Sequence, residues 1–324
     1  MTVPTNTMQN FSGQVAGNRE DLTDAIYNVS PTETPMISMA QKSTAYNVLH
    51  EWQSEALAAA TASNAVVEGD DAANQSIVAT TRLNNYIQTS EKTIGISTIQ
   101  EATRSAGRPS EMAHQLVNYG LALRRDMETV LLNNSIAPSA GSASTARKLR
   151  ALPSWYATNT SRGGGATVGA NGSTTTIATD ASTPRNFTEA LFKTVLNSIW
   201  VNASIGEGMF AMAGPTNRAN LSSQLSGGST KFYRVESKNL TATVTIYQSD
   251  FGDIKLIPNR FQRDKDLHII NPEYLAISFL EKFREQDLAV TGLARRKQIW
   301  ASYTLEVRNE AAHGIVADLN TTIL

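Results

Sequence analysis

The chain has 324 residues with 28 Lys and Arg against 29 Asp and Glu, a formal net charge of −1, a hydrophobic content of 41% and no cysteine. The absence of cysteine excludes disulfides, thiolate metal sites and cysteine nucleophiles. The balanced charge argues against a dedicated nucleic-acid binder, which needs a clear cationic excess, and leaves self-association unopposed by long-range repulsion.

Residues 1–20 are polar, lack the basic and apolar regions of a secretory leader, and read as an arm. Asp21–Met39 follows as a short amphipathic turn carrying Leu22, Ile26, Tyr27 and Val29, broken by Pro31 and Pro35. The next segment cannot fold alone. Between Gln53 and Asn85 there is no aromatic residue, and Leu57, Val66, Val67, Ile77, Val78 and Leu83 are diluted among Ala, Ser, Thr and Asn. So little apolar surface cannot offset a backbone ordering cost of about 1–2 kcal/mol per residue. Tyr46, Val48, His50 and Trp52 nevertheless alternate with period 2, and Ile77–Ile87 is strand-like. The pattern predicts a long hairpin over Tyr46–Lys92 that reaches away from its own core, with Gly95 marking the return.

Ser110–Asn134 predicts a helix of about 37 Å, with Met112, Leu116, Tyr119, Leu123, Met127, Val130 and Leu131 on one face and Arg124–Glu128 as an exposed pair. Ser135–Pro184 is rich in Gly, Ser and Thr and reads as an exposed excursion. A compact α/β unit follows. It holds a helix over Phe187–Val201 capped by Asn186, a strand at Met209–Ala213, a helix from Pro215 to Leu225 stopped at Gly227–Gly228, and a hairpin of Thr241–Gln248 and Ile254–Pro258 around Asp250-Phe251-Gly252. Leu267–Ile270, Tyr274–Leu280 and Lys297–Val307 are strand-like, the last with Ile299, Ala301, Tyr303, Leu305 and Val307 on one face. Eleven residues span about 36 Å, which matches the long helix and predicts a helix laid along an antiparallel sheet. Arg308–Gly314 reads as a turn ending at Gly314. No apolar run approaches the roughly 18 residues of a membrane span.

Candidate chemistry is sparse. His50, His114, His268 and His313 fall in no metal-ligand spacing, and His50 and Glu51 are adjacent strand residues that point to opposite faces. The glycines at 163–165 precede Ala-Thr-Val rather than Lys-Ser/Thr, so they form no phosphate loop, and no nucleophile elbow is present. Asp70-Asp71 sits in polar sequence as a solvated turn. Neither catalytic residues nor cofactor or metal sites are predicted. Arg124-Arg125 and Arg295-Arg296-Lys297 read either as solvated faces or intersubunit ion pairs, or as contacts to phosphate or to a neighbouring acidic arm, and the overall charge balance favours contact with protein.

Three stretches, in order and correctly spaced, carry a family resemblance: Ser30-Pro31-Thr32-Glu33-Thr34-Pro35, then His50-Glu51-Trp52-Gln53 before an Ala-rich run, and Tyr303-Thr304-Leu305-Glu306-Val307-Arg308-Asn309-Glu310-Ala311-Ala312-His313-Gly314. Together they resemble the short major capsid proteins of tailed bacteriophages, with the HK-ninety-seven-type α+β fold. The resemblance implies an N-terminal arm leading into the peripheral domain (1–45), an extended E-loop (46–92), a peripheral domain with a spine helix (93–150), an axial domain (151–259), and the remainder of the peripheral sheet (260–324). It implies a non-enzymatic subunit of an icosahedral shell around double-stranded DNA, assembled in the host cytoplasm as pentamers and hexamers of itself. Portal, scaffold and decoration proteins would be further partners, DNA contact would be weak and non-specific, and no membrane is involved. Intersubunit contacts are expected at Trp52, Glu55, Leu57, Val66, Val67, Arg82, Arg124, Arg125, Arg295 and Arg296. The alternatives are an encapsulin-like compartment shell of the same fold, and a carbohydrate-active enzyme with a β-rich arm, for which neither a leader nor a carboxylate cluster is found.

Overall fold

The computed structural model describes residues 32–71, 74–75, 77–103, 105–133, 137–172, 176–204, 206–226 and 245–323. The expectations for the N-terminal arm and the turn up to Val29, for Gly227–Gly228 and for Thr241–Val244 lie outside the described residues. In chain order the elements begin with α1 (Pro35–Met39), β1 (Gln41–Thr44), β2 (Leu49–Ser54), β3 (Thr81–Tyr86), β4 (Gln88–Ser97), α2 (Thr98–Ala102) and α3 (Glu111–Leu132). They continue with β5 (Thr160–Ser161), α4 (Glu189–Ala203), β6 (Met209–Ala213), α5 (Pro215–Ser226), β7 (Ile246–Ser249), β8 (Gly252–Pro258), β9 (Leu267–Ile270), β10 (Leu275–Asp287), β11 (Ala294–Val307) and β12 (Gly314–Val316).

The first layer pair is the expected one. Strands β1-β10-β11-β4 form a four-stranded sheet, parallel at β1 and antiparallel elsewhere. Helix α3 lies on one face of it. Ser110 Oγ caps the helix by accepting from the Ala113 amide at 3.2 Å. Leu123, with Met112 and Leu116, packs on Ile94, Ile96 and Ile299, while Met127, Leu131 and Leu132 share a core with Ala301, Tyr303, Leu305 and Val307. At 14 residues β11 spans about 46 Å and outruns the 22-residue helix, which spans about 33 Å, so the turn-end of the β10–β11 hairpin projects as a tip.

A six-stranded sheet of order β5-β12-β9-β6-β8-β7 forms the second unit, with α4 and α5 burying Phe192, Val195, Leu196, Ile199, Leu221 and Leu225 against Met209, Ala211, Ile254 and Leu256. Three expectations change here. The segment 260–324 does not belong wholly to the long sheet, because β9 and β12 pair with each other and with β6 and β5. Gly314 does not end a turn but opens buried strand β12. The N-cap of α4 is Thr188, with no side-chain cap bond, while Asn186 accepts from Asn320 Nδ2 at 3.2 Å.

The Gly/Ser-rich excursion is also only partly exposed. Leu149, Ala151, Leu152, Trp155 and Tyr156 are fully buried at the junction of the two sheets. Average composition over fifty residues hides this short core segment. Arg150, itself buried, donates to the carbonyls of Gly172 and Ser154, the latter at 2.9 Å, and its guanidinium lies 4.8 Å from the Trp155 ring centroid. Five N–H donors on one planar head let a single side chain serve an irregular backbone. A Cβ at Gly169 would fall 2.1 Å from the Ser154 carbonyl oxygen, so only glycine fits that close approach.

Glu128 overturns the expected exposed pair with Arg124. It is fully buried and accepts from the amides of Met36 (2.8 Å) and Ile37 (3.0 Å) and from Asn259 Nδ2 (2.7 Å). Burial raises its carboxyl above the ordinary value, and these three bonds oppose that shift. One side chain of α3 thus fastens both α1 and the exit of β8. Glu128→Gln presents an NH2 group to an N–H donor, so the subunit is expected to lose about 1–3 kcal/mol, read as a lower midpoint in urea at unchanged slope.

Candidate assembly interface

The hairpin is shorter than the sequence predicts at both ends. β2 and β3 pair over six positions, from Leu49↔Tyr86 to Ser54↔Thr81. Gln88–Lys92 belongs to β4 and to the long sheet, and Gly95 lies mid-strand opposite Arg296. The described residues between Ser54 and Thr81 form no helix or strand. There Leu57 is 96% exposed, Val66 87%, Val67 75% and Ile77 93%. The hairpin is therefore a paired stalk bearing an open loop.

The stalk is bound to its own subunit. Trp52 Nε1 donates to the Val307 carbonyl at 2.9 Å, and its ring lies 5.6 Å from that of Trp155. Asn85, buried, donates to the carbonyls of Leu305 (2.9 Å) and Arg150 (3.2 Å) and accepts from the Arg150 amide (2.8 Å). Thr304 Oγ1 donates to the Tyr86 carbonyl at 2.8 Å. At the root, the Glu306 carboxylate gathers Ser43 Oγ (2.8 Å), Ser278 Oγ (2.8 Å), His50 Nε2 (3.1 Å) and Arg308 Nε (2.9 Å). Burial alone would push Glu306 up; the bonds from His50, Arg308, Ser278 and Ser43 outweigh it and hold the carboxyl well below its usual range. Four segments of the chain meet on one side chain.

The residues expected at an intersubunit surface divide into two groups. Trp52 is half-buried and is held by its own core. Arg124 donates to Ser38 Oγ at 2.9 Å and the Arg125 guanidinium lies 5.2 Å from the Phe261 ring centroid, so both serve their own chain. Glu55, Leu57, Val66 and Val67 are exposed on the loop, Arg82 is exposed on the stalk 3.5 Å from Glu51, and Arg295 and Arg296 are exposed at the tip of the long sheet. Sequence reasoning missed Glu306, Asn85 and Arg150. Their only signal was a polar side chain within an otherwise strand-like or apolar stretch.

The remaining buried titratable groups are internal. Burial pushes Asp266 up to about 6, against the pull of Arg263 and Arg162, and pushes His268 down to about 3 beside Tyr156 Oη at 3.3 Å. Among the described residues no group of three or more His, Asp and Glu side chains could hold a metal ion, and no helix is long and apolar enough to cross a membrane.

Two predictions follow from the root. Trp52→Ala is expected to destabilise the isolated subunit by about 3 kcal/mol, visible in its thermal midpoint before any assembly. Glu306→Gln is expected to cost about 1.5–3 kcal/mol near pH 7. Because the folded carboxyl titrates below the unfolded one, Glu306 contributes fully above the unfolded value of about 4.3 and loses its contribution as pH falls below it. The gap between parent and variant midpoints should accordingly close on acidification from pH 5 to pH 3.

Comparison with known proteins agrees with this architecture. The family model described as SU10 major capsid protein matches residues 3–320. The major capsid protein of Escherichia phage Phieco32 is 32% identical over 117 residues, which are 36% of this chain and 33% of that protein, so the match spans a third of the relative's length. The capsid structure of cyanophage A-1(L) superposes with a TM-score of 0.64 at 10% identity, covering 93% of this chain and 97% of that one. The SrpI encapsulin of Synechococcus elongatus superposes at 0.56 with 8% identity, covering 98% and 97%, a likeness of fold alone. The mixed helix-and-sheet fold is thus that of HK-ninety-seven-type phage capsid structures, and with the family match over nearly its whole length the chain belongs to the SU10 major capsid protein family.

Proposed function

We propose that this phage capsid protein closes its shell by laying loop 55–80 over an adjacent copy, building pentamers and hexamers of an icosahedral head around double-stranded DNA. The observation that carries the reading is a loop whose few large aliphatic side chains are left almost wholly in water, at the end of a stalk that its own subunit holds at several points. A monomer gains nothing from exposing Leu57, Val66 and Ile77, whereas a neighbour that covers them removes that apolar area from water. The unit of α3 and the four-stranded sheet acts as the peripheral domain, and the six-stranded sheet as the axial domain meeting its copies at the capsomer centre. The subunit works without catalysis. Portal, scaffold and decoration proteins are further partners in the host cytoplasm, and a net charge of −1 makes its contact with DNA weak and non-specific. A cargo-filled compartment shell is disfavoured by the family match to phage capsid proteins.

A specific interface buries on the order of 1,600 Å², and many modest contacts repeated over a closed shell make it persistent. The clean test removes only the loop. Joining Ser54 to Thr81 through Asn-Gly keeps every stalk pair and supplies a two-residue hairpin turn. The shortened subunit is expected to fold with the parent's thermal midpoint and to give no shells in electron micrographs; shells at parental yield would overturn the clamp.

A further inference from the structure

One end of the six-stranded sheet encloses a carboxyl group that nothing satisfies. Val316 pairs with Ser161 on one side and Leu267 on the other, so Arg162, Asp266 and Asp318 border β5, β9 and β12 at the same end. Asp266 is 1% exposed, and among the described residues neither of its carboxylate oxygens has a hydrogen-bond partner. An ionised carboxylate is tolerated in the interior only when it is paired and hydrogen-bonded. The other buried Asp and Glu side chains described, Glu128, Glu306, Glu310 and Asp318, meet that condition, each accepting from at least two donors.

Cations stand near Asp266 without bonding it. Arg263 Nη1 lies 3.5 Å from Asp266 Oδ2, but the same guanidinium is bonded through Nη2 to Asp180. Half-buried Arg162 gives Nη2 to the Pro153 carbonyl at 3.3 Å, and its Nε has no partner among the described residues. Lys265 lies 4.0 Å from Asp180, and Arg185 donates to Ser161 Oγ at 2.9 Å and the Ala317 carbonyl at 3.2 Å. The acids around it face other donors: Asp318 holds the Gly163 and Ala181 amides, and Asp264 accepts from the Thr216 amide at 3.2 Å. Asp180 and Asp318 repel a second negative charge here, and desolvation outweighs the pull of Arg263 and Arg162, which pushes Asp266 up to about 6. His268, stacked on Tyr156, is held down to about 3 and stays neutral above that range. Gln262 Nε2 donates to the Asp266 carbonyl at 2.8 Å, and its Oε1 is buried without a partner. A carboxylate adds only acceptors to this cluster, whereas a carboxylic acid adds a hydroxyl donor.

We propose that Asp266 is a proton-operated latch, which in its neutral form keeps the segments around Gly163 and Ala181 closed on the six-stranded sheet and in its ionised form lets them open. An ionised Asp266 gains by reaching water, and the short way to water is to part those segments from the entry of β9. A neutral Asp266 has no such gain. Local opening is therefore more frequent at neutral than at mildly acidic pH. All the groups involved lie within one subunit, so the inference stands independently of the clamp reading.

Asp266→Asn keeps the shape of the side chain, fixes its neutral state and tests the latch on the full-length, unassembled subunit. Against an unfolded carboxyl near about 3.9, a folded one at about 6 weakens the folded state about a hundredfold on ionisation. That penalty is complete above the folded value and fades as pH falls towards the unfolded one. The variant is accordingly expected to melt several degrees above the parent at about pH 7.5, with a much smaller difference at about pH 4.5. Glu128, also raised by burial, is common to both chains and cancels in the difference. Hydrogen exchange in the parent gives a second reading: the Gly163 and Ala181 amides, corrected for intrinsic rate, are expected to open about tenfold more often at pH 7.5 than at pH 5. If the variant melts below the parent at pH 7.5, or fails to fold, ionised Asp266 is a stabilising ion-pair member and the latch is overturned. A difference in midpoint that is the same at both pH values, or exchange of the two amides that does not respond to pH, overturns it equally.

Discussion

The structure depends on one strand being buried on both faces. Along the C-terminal half of β11, Ala301, Tyr303, Leu305 and Val307 face α3 and the main core, while Ser302, Thr304 and Glu306 face the other way and are buried as well. Polar groups tolerate such burial only when hydrogen-bonded. The stalk and its flanks provide the partners: Tyr86 for Thr304, Thr89 for Ser302, and His50, Ser43 and Ser278 for Glu306. Without the stalk Thr304 would lose the Tyr86 carbonyl and Glu306 would lose His50; without that face the stalk would lose its anchorage. The root of the stalk is therefore part of the subunit's core, and the loop beyond Ser54 is exposed.

A second device recurs wherever irregular chain enters the interior. Glu128 holds the amides of Met36 and Ile37, Glu310 those of Ala157 (2.7 Å) and Thr158 (2.9 Å), and Asp318 those of Gly163 (2.9 Å) and Ala181 (2.8 Å). Arg150 does the converse for carbonyls. Each replaces missing secondary-structure bonds with charge-assisted ones, which are shorter and stronger than neutral pairs. The cost is a buried charge, seen in the raised carboxyl of Glu128 and in Arg150, pushed down to about 10 by desolvation. The junction between the two sheets is thereby fixed although its path, from Leu149 to Ala181, is mostly without helix or strand.

Rigidity at the root and openness at the loop suit a shell subunit. A stalk locked at several points delivers the loop in a fixed direction, so ordering entropy on assembly is confined to the loop. The separation also explains why Trp52, the most conspicuous aromatic of the hairpin, works within the subunit. An anchor at the root stabilises the platform, whereas the aliphatic groups farther out lie exposed on the loop.

Local pattern in the sequence determined the elements whose signal is periodic. The 3.6-residue stripe of α3, the period-2 face of β11 from Ile299 to Val307, the Met209–Ala213 and Leu267–Ile270 strands and the Asp250-Phe251-Gly252 turn were legible, because burial on one face forces one periodicity. The deficit in apolar surface between Gln53 and Asn85 was equally legible, and so was the capsid resemblance. Only the tertiary structure decided which polar residues are interior. Glu128, Glu306, Asn85 and Arg150 carry the same letters whether they face water or a ring of donors and acceptors, and the partners that settle the matter lie 65 to 256 residues away in the bonds from Asn85 to Arg150 and from His50 to Glu306. It also decided that β9 and β12 leave the long sheet for the second one, because pairing between distant strands leaves no trace in either strand's own pattern.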